Sequence, residues 1–487
     1  MSSFIRGSLG TTQVTQDDVT TPTTRLFSHL KYVDDFKASK TITYRGLNTG
    51  SGIYHFDIET NSEEYLDLSR AFITYNLKLT NPAGQKVNYE QLFVVPDIAN
   101  AMWQRGTVRI GNSDVIGLTE DYLGYVEYIK GLINYSKRCR GNKLVPRVFL
   151  LDDPGFYNGD EGFKDYGMKY TRSATNGWEW EEYADPNDAT KKLKRVKGKT
   201  DTRTDKEKRL PIMVRHQITS DFDIFQICTP LPSHLMGVSR SLPTNLRLEF
   251  DFYPQNSDFY FLTKDATLPK EGYKLEIQDM LLTVNVQTVN DEILLKHQKA
   301  FETMSAIIPF QALDVKIGLV SAGMTRIEHK PWSDVCPKQV ITALVKQSAF
   351  IGNRGESPYN FEHCNAEYMY LKIGNYTFPH TLIKTNYPER RIQQQFTYAM
   401  HNLGQGNGDH ASLLELDDYN NGTTLGVWTL TPDLCPLWHL HKNIMSSCEV
   451  IYELGVPVPE AMRLICIGVF DRTLKIDRFR QATVVNI

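Results

Sequence analysis

The stretch Tyr65–Asn81, YLDLSRAFITYNLKLTN, alternates over its second half. Ile73, Tyr75, Leu77 and Leu79 fall on one side, and Thr74, Asn76, Lys78 and Thr80 on the other. A period of two is that of a β-strand, whose successive side chains point to opposite faces. One face is therefore expected to be buried and the other wet. The same style recurs along the chain. KTITYRG and IYHFDIE flank the glycine-rich GLNTGSG, and GTVRIGNSDVIG reads as a hairpin turning at Gly111 to Asp114. LPIMVRHQI, DFDIFQICT and TNLRLEFDFYP read as further strands, as do LDVKIGL, QVITALVKQ, AEYMYLKIGNYTFP and SCEVIYEL later on. MRLICIGVF is apolar on both faces, as a central sandwich strand would be.

Three segments change period. In TEDYLGYVEYIKGLINY, Tyr122, Val126, Ile129 and Ile133 share one helical face, with Thr119 as the expected N-cap. NDEILLKHQKAFET is expected to be helical, capped by Asn290, with Ile293, Leu294 and Phe301 on one stripe. PERRIQQQFTYAMHNLG is expected to be a helix closed by Gly404. In YKLEIQDMLLTVNVQTV, Leu275 and Ile277 share a phase that Met280, Leu282, Val284 and Val286 reverse. A bulge near Asp279 reconciles them.

At 487 residues the chain is long enough for more than one core. It is 41% hydrophobic and 23% charged with a net charge of −3, which argues against a wholesale nucleic-acid coat. The seven cysteines (Cys139, Cys228, Cys336, Cys364, Cys435, Cys448 and Cys466) are odd in number, scattered, and contain no Cys-x-x-Cys pair. They read as reduced thiols of a protein assembled inside a cell, which would leave the sequons at Asn134, Asn375 and Asn421 without meaning. The start has no apolar h-region and no run is long enough to span a membrane, so neither secretion by a signal peptide nor insertion is expected.

The chain divides into a Thr/Ser-rich arm over 1–36, a strand-rich half over 37–289, a connecting helix over 290–303 and a second strand-rich half over 304–487. The first half carries a polar, glycine-rich and then basic loop over 152–210. The halves resemble each other at coarse grain, each with early strands, one internal helix and a late run of strands. That pattern implies an all-β protein made of two tandem sandwiches.

Candidate chemistry is sparse. GKT at Gly198 to Thr200 looks like the end of a phosphate loop, but Leu193 stands where a glycine is needed and no strand is expected before it. His439 and His441, with Cys435 and Asp433 nearby, lack the spacing of a zinc site and read as the wet face of a strand. His363 and Cys364 are adjacent, so on a strand they would face apart and could not act as base and nucleophile. Glu59, Glu63, Glu64 and Asp67 could supply a glycosidase pair but read better as turn and edge solvation. The basic run Lys191 to Arg209 reads as a solvated loop, with contact to nucleic acid or an acidic partner as the alternative. No catalytic, cofactor or metal residue is assigned, and no enzyme is expected.

Four blocks together resemble the major capsid proteins of Polinton (Maverick) elements and adintovirus-like viruses. They are IYHFDIETNSEEYLDLSRAFITYNLKLTN, YKLEIQDMLLTVNVQTVNDEILLKHQKAFETMSAIIPF, VITALVKQSAFIGNRGESPYNFEHCNAEYMYLKIG, and the pair LTPD (Leu430 to Asp433) and GVFDRTLKIDRFR. Arg472 departs from the small polar residue usual in the last block, and the 152–210 excursion has no counterpart in the family. The resemblance implies a double jelly-roll of two eight-stranded sandwiches. It further implies a homotrimer forming a pseudo-hexagonal capsomer in the icosahedral shell of a virion, with neighbouring capsomers, a penton protein and minor cement proteins as partners. The other reading the residues leave open is a non-capsid β-sandwich module that recognises carbohydrate or protein.

Overall fold

Eight principal strands build two sheets between Phe36 and Val289, the second extended by the two-residue strands Leu47–Asn48 and Glu120–Asp121: β1 Phe36–Arg45, β2 Tyr54–Glu59, β3 Glu64–Thr80, β4 Trp103–Ile110, β5 Ser113–Asp114, β6 Phe225–Pro230, β7 Arg247–Pro254 and β8 Lys274–Val289. One sheet runs β1-β8-β3-β6 and the other β2-β7-β4-β5, every named pair antiparallel. Eight more follow: β9 Ala306–Val320, β10 Arg326–Trp332, β11 Gln339–Lys346, β12 Ala366–Ile373, β13 Tyr376–Phe378, β14 Gly426–Thr429, β15 Cys448–Leu454 and β16 Met462–Ile476. Their sheets run β9-β16-β11-β14 and β10-β15-β12-β13. Counted within its own set, each half pairs its strands as 1-8-3-6 and 2-7-4-5. Two facing four-stranded sheets with that interleaved order are a jelly-roll, and the chain is a double jelly-roll. A last strand, Ala482–Asn486, pairs with the end of β16.

The computed structural model describes residues 35–152 and 211–486, except 86, 88–91, 112, 115–117, 140–141, 221–222, 239, 264–271, 407–411 and 435–439, together with the backbone of Trp180–Asp185 and Asp188–Val196. Residues 1–34 of the arm expected over 1–36 lie outside the described residues, and Phe36 already belongs to β1.

The alternation in β3 positions the first core. Ile73, Tyr75 and Leu77 are fully buried and Leu79 is nearly so, each such side chain contributing roughly 1.5–3 kcal/mol relative to exposure. Thr74, Asn76 and Lys78 on the opposite face are half-buried. Thr80 departs from expectation: it is buried, its hydroxyl lying 3.4 Å from the Lys274 carbonyl and 3.3 Å from Glu276. In β8 the pairing with β3 slips between Ile277 and Asp279, the bulge that the phase reversal required. Beyond it Met280, Leu282, Val284 and Val286 are all buried. β16, carrying MRLICIGVF, lies between β9 and β11 in its sheet.

Four helices matter to the architecture: α1 Leu123–Asn134, α2 Pro211–Ser220, α3 Asp291–Phe301 and α4 Gln393–Asn402. The segment read as the strand LPIMVRHQI is in fact α2. Its apolar residues serve packing against a partner rather than a period, with Ile212 and His216 buried and Arg215 reaching the Val94 and Leu150 carbonyls and Asp152. α1 starts later than expected, with Tyr122 rather than Thr119 at its N-cap in a left-handed conformation. α3 follows Asn290 as expected, the Ile293 and Leu294 amides donating to the Asn290 carbonyl. None of its residues is buried, so Ile293, Leu294 and Phe301 form only a half-covered stripe. α4 ends at Gly404, whose φ of +72° is the left-handed turn a glycine supplies. Within the 152–210 excursion a hairpin pairs Trp180–Asp185 with Asp188–Val196, so that region is not wholly a loop.

Candidate functional site

The two jelly-rolls share one continuous buried cluster, to which α1 contributes Leu123, Tyr125, Val126, Tyr128, Ile129, Leu132 and Ile133. These span a wider arc than the single face the sequence suggested and leave Glu127, Lys130 and Asn134 as a polar stripe. Tyr128 stacks on Tyr359 of the second half at 3.9 Å and 3°. Tyr125 stacks on Phe350 at 5.6 Å and 12°. The Tyr359 hydroxyl donates to the Gly124 carbonyl at 3.2 Å. Arg354 pairs with Asp258 at 2.7 Å, and the Thr263 amide donates to the Arg354 carbonyl at 2.8 Å. At a second point of contact the Leu313 amide of β9 donates to His234 Nε2 at 3.0 Å. Glu120 lies 3.3 Å from the same nitrogen and is 3% exposed. Burial pushes its carboxyl up to about 7.

Two other ion pairs are interior. Asp97 and Arg147 meet through two hydrogen bonds beside α1, both residues essentially without solvent. Lys338 and Asp471 meet at 2.6 Å in the second half, Asp471 also accepting from the His441 amide at 2.8 Å. The sequence reading missed all three buried polar sites, because their partners lie far apart in the chain and each residue type is ordinary on a surface.

The densest charge cluster among the described residues lies on the β2-β7-β4 sheet. Strand register sets Asp57 opposite Glu249, and Glu249 opposite Arg109. Arg247 donates to both Asp57 oxygens at 3.0 and 2.7 Å and holds that carboxyl below its usual range. Arg109 donates to Asp251 at 2.6 Å, and His55 Nδ1 lies 2.7 Å from the other Asp251 oxygen. His55, Asp57 and Glu249 offer donor atoms within 4.8 Å of one another, close enough to hold a cation. The two guanidiniums already occupy those carboxylates, so the chemistry is a cross-strand ion-pair lattice, each partly exposed pair worth about 0.2–1 kcal/mol.

The candidates from the sequence are dispersed. Glu59 reaches Arg247 at 3.7 Å, Glu64 pairs with Lys40, and Asp67 accepts from the Ser69 amide and hydroxyl. Each therefore serves a local contact. His363 and Cys364 are not on a strand but in a turn where Cys364 has φ +46°. His363 Nδ1 accepts from the Asn365 amide at 2.9 Å and stacks on Tyr387. Burial pushes His363 down to about 4 and the Cys364 thiol up to about 12, the opposite of an activated pair. His441 lies outside any strand, 3.4 Å from Asp433; His439 and Cys435 fall outside the described residues. A strand, Asp188–Val196, does precede the GKT sequence, contrary to expectation, but Leu193 lies within it in place of the glycine. The basic run begins on that strand; its remainder, 197–209, is not described. The six described cysteines are free thiols. No described helix is long and apolar enough to cross a membrane.

No family model matches the chain. A Caenorhabditis elegans protein known only as uncharacterized protein F54H12.2 is 18% identical over 450 residues, 90% of this chain and 94% of that one. Among solved structures, a chain of the Sputnik virophage, from its 3.5 Å cryo-EM structure, superposes with a TM-score of 0.57 at 10% identity, covering 96% of this chain and 92% of that one. The Faustovirus major capsid protein superposes with a TM-score of 0.50 at 9% identity, covering 95% and 94%. At such identities the likeness is one of fold.

Proposed function

We propose that this chain is the major structural subunit of a virus shell and carries no chemistry of its own. The observation that carries the reading is the repeated 1-8-3-6 and 2-7-4-5 pairing in two jelly-rolls locked side by side by α1. The full-length likeness to the Faustovirus major capsid protein supports it. The subunit consists of an arm over 1–36, a first jelly-roll over 37–289, a connecting helix over 290–303 and a second jelly-roll over 304–487. Three copies supply six sandwiches, a pseudo-hexagonal block that tiles an icosahedral capsid alongside penton and cement proteins. The four sequence blocks point to the Polinton (Maverick) and adintovirus-like lineage.

Physics favours assembly through the flanks. β1 pairs on only one side among the described residues, leaving a row of backbone groups on that flank. Leu319, Tyr376, Met445 and Phe479 are each more than 60% exposed, large apolar groups of the kind that anchor interfaces. Contacts of the obligate kind bury about 2,000 Å² or more in total. Expression of the full chain, followed by its mass in solution and negative-stain imaging, tests the reading. A particle of three times 55.8 kDa, or closed shells, is expected. A monomer that persists at high concentration would favour a binding module instead.

A further inference from the structure

Where β9 meets the first jelly-roll, two groups converge on His234 Nε2: the Leu313 amide donates to it at 3.0 Å, and Glu120 Oε1 lies 3.3 Å away. The His234 and Glu120 side chains are 2% and 3% exposed. The imidazole is held in place: Ser233 Oγ accepts from the Leu235 amide at 3.3 Å to fix the turn His234–Gly237, and the Phe310 ring of β9 lies 6.3 Å from it. Strand pairing fixes Glu120 opposite Gly106 of β4. A backbone amide only donates, so Nε2 presents a lone pair at this contact and not a proton. An ionised carboxylate presents lone pairs as well. The approach of Glu120 is therefore attractive only while its carboxyl carries a proton, as a second donor beside Leu313.

We propose that Glu120, His234 and Leu313 form a proton-held latch between the two jelly-rolls, closed while Glu120 is protonated and released when it ionises. Ionisation sets a carboxylate against an imidazole lone pair in a site without solvent. Turning the ring relieves the clash, and so does shifting its proton from Nδ1 to Nε2. Both remove the acceptor of the Leu313 amide. Burial pushes the Glu120 carboxyl up to about 7, so release falls near neutral pH. On α1, Glu127 opposes ionisation and Lys130 favours it, the two being paired at 2.6 Å. Asp121 pairs with Arg105 of β4, and Arg109 of β4 with Glu249 and Asp251 of β7. On β9, Asp314 pairs with Lys316, and Arg240 donates to the Ile307 carbonyl. On β3, Glu64 pairs with Lys40, Asp67 accepts from the Ser69 hydroxyl, and Arg70 is exposed. Glu120 and His234 are thus the groups that titrate at the contact. The inference concerns a single chain and does not rest on assembly.

Hydrogen exchange on the full-length protein near pH 6 and near pH 8 tests the latch, resolved to single amides by electron-transfer fragmentation and corrected for the intrinsic pH dependence. The protonated fraction of a group titrating near 7 falls about tenfold over that interval, and the protection of the Leu313 amide is expected to fall by the same factor. Ala312 and Asp314 flank Leu313 on β9 with their amides pointing the other way, toward β16, and should keep their protection. In Glu120→Gln the side-chain amide remains a donor at both pH values, so Leu313 should stay protected at both. Equal wild-type protection of Leu313 at the two pH values, a loss shared with Ala312 and Asp314, or a pH dependence that survives Glu120→Gln would overturn the proposal. The wild-type comparison decides the matter even where the variant does not fold.

Discussion

Gly131 in α1 has no room for a methyl group: an added Cβ would meet the Phe149 ring at 2.5 Å. Replacing a helical glycine with alanine ordinarily gains about 1 kcal/mol. Here the overlap costs roughly 1–3 kcal/mol, because Phe149 is itself buried and cannot swing into solvent. Gly131→Ala is therefore expected to lower the urea midpoint, and Phe149→Leu in the same chain to restore part of it. Glu120 gives a pH dependence. Its carboxyl rises from 4.5 to about 7 on folding, so the folded state binds the extra proton. Stability is then full below the unfolded value and is lost as pH rises through the folded one, by about 3 kcal/mol in total. Lys130 works against this shift, whereas the Glu127 carboxylate and burial drive it. Urea unfolding near pH 5 and near pH 8 should show the loss, and Glu120→Gln should flatten it. The Asp97–Arg147 pair carries a third expectation. Arg147→Met leaves a fully buried carboxylate without its partner and should cost about 3–5 kcal/mol in chemical denaturation.

Among the elements, α1 is one that holds the two jelly-rolls together, through its tyrosines. Tyr128 and Tyr359 come from different halves, and truncating either should cost about 3–5 kcal/mol. A double-mutant cycle should leave a coupling of about 0.5–1.5 kcal/mol, the extra worth of a ring pair. Uncoupled substitutions would mean that the stack is incidental to docking. The reading of α1 from its period was half right. Val126, Ile129 and Ile133 were legible as one apolar face, but Tyr125 and Tyr128 were not, because residues facing a second core look like an ordinary polar-aromatic flank. α2 was misread outright. LPIMVRHQI has β-branched residues and no clean period, and what fixes it as a helix is the set of acceptors waiting for Arg215 and His216. By contrast the bulge in β8 was readable, since a phase reversal within one strand has few other causes.

For the whole molecule the expectation concerns assembly. On the proposed shell-subunit reading, with its trimers and an arm that reaches a neighbouring capsomer, deleting residues 1–30 should leave the trimer mass unchanged but prevent closed shells; normal shells would refute that role. Large-scale organisation was legible because it depends on counts and order: two strand-rich runs around a short helix, with alternation in each. The locations of charge clusters were not legible. Arg109, Arg247, Asp57 and Glu249 come from three strands, and only register sets them side by side.

The sequence by itself determined that this chain makes strands, where most of them lie, and that one of them must bulge. Those are local properties, since alternation and phase are carried by neighbours along the chain. Only the tertiary structure decided which strands pair and that α1 packs against both sandwiches in one core. Each of these joins side chains from distant segments, and the free energy that selects them exists only once the sheets have closed.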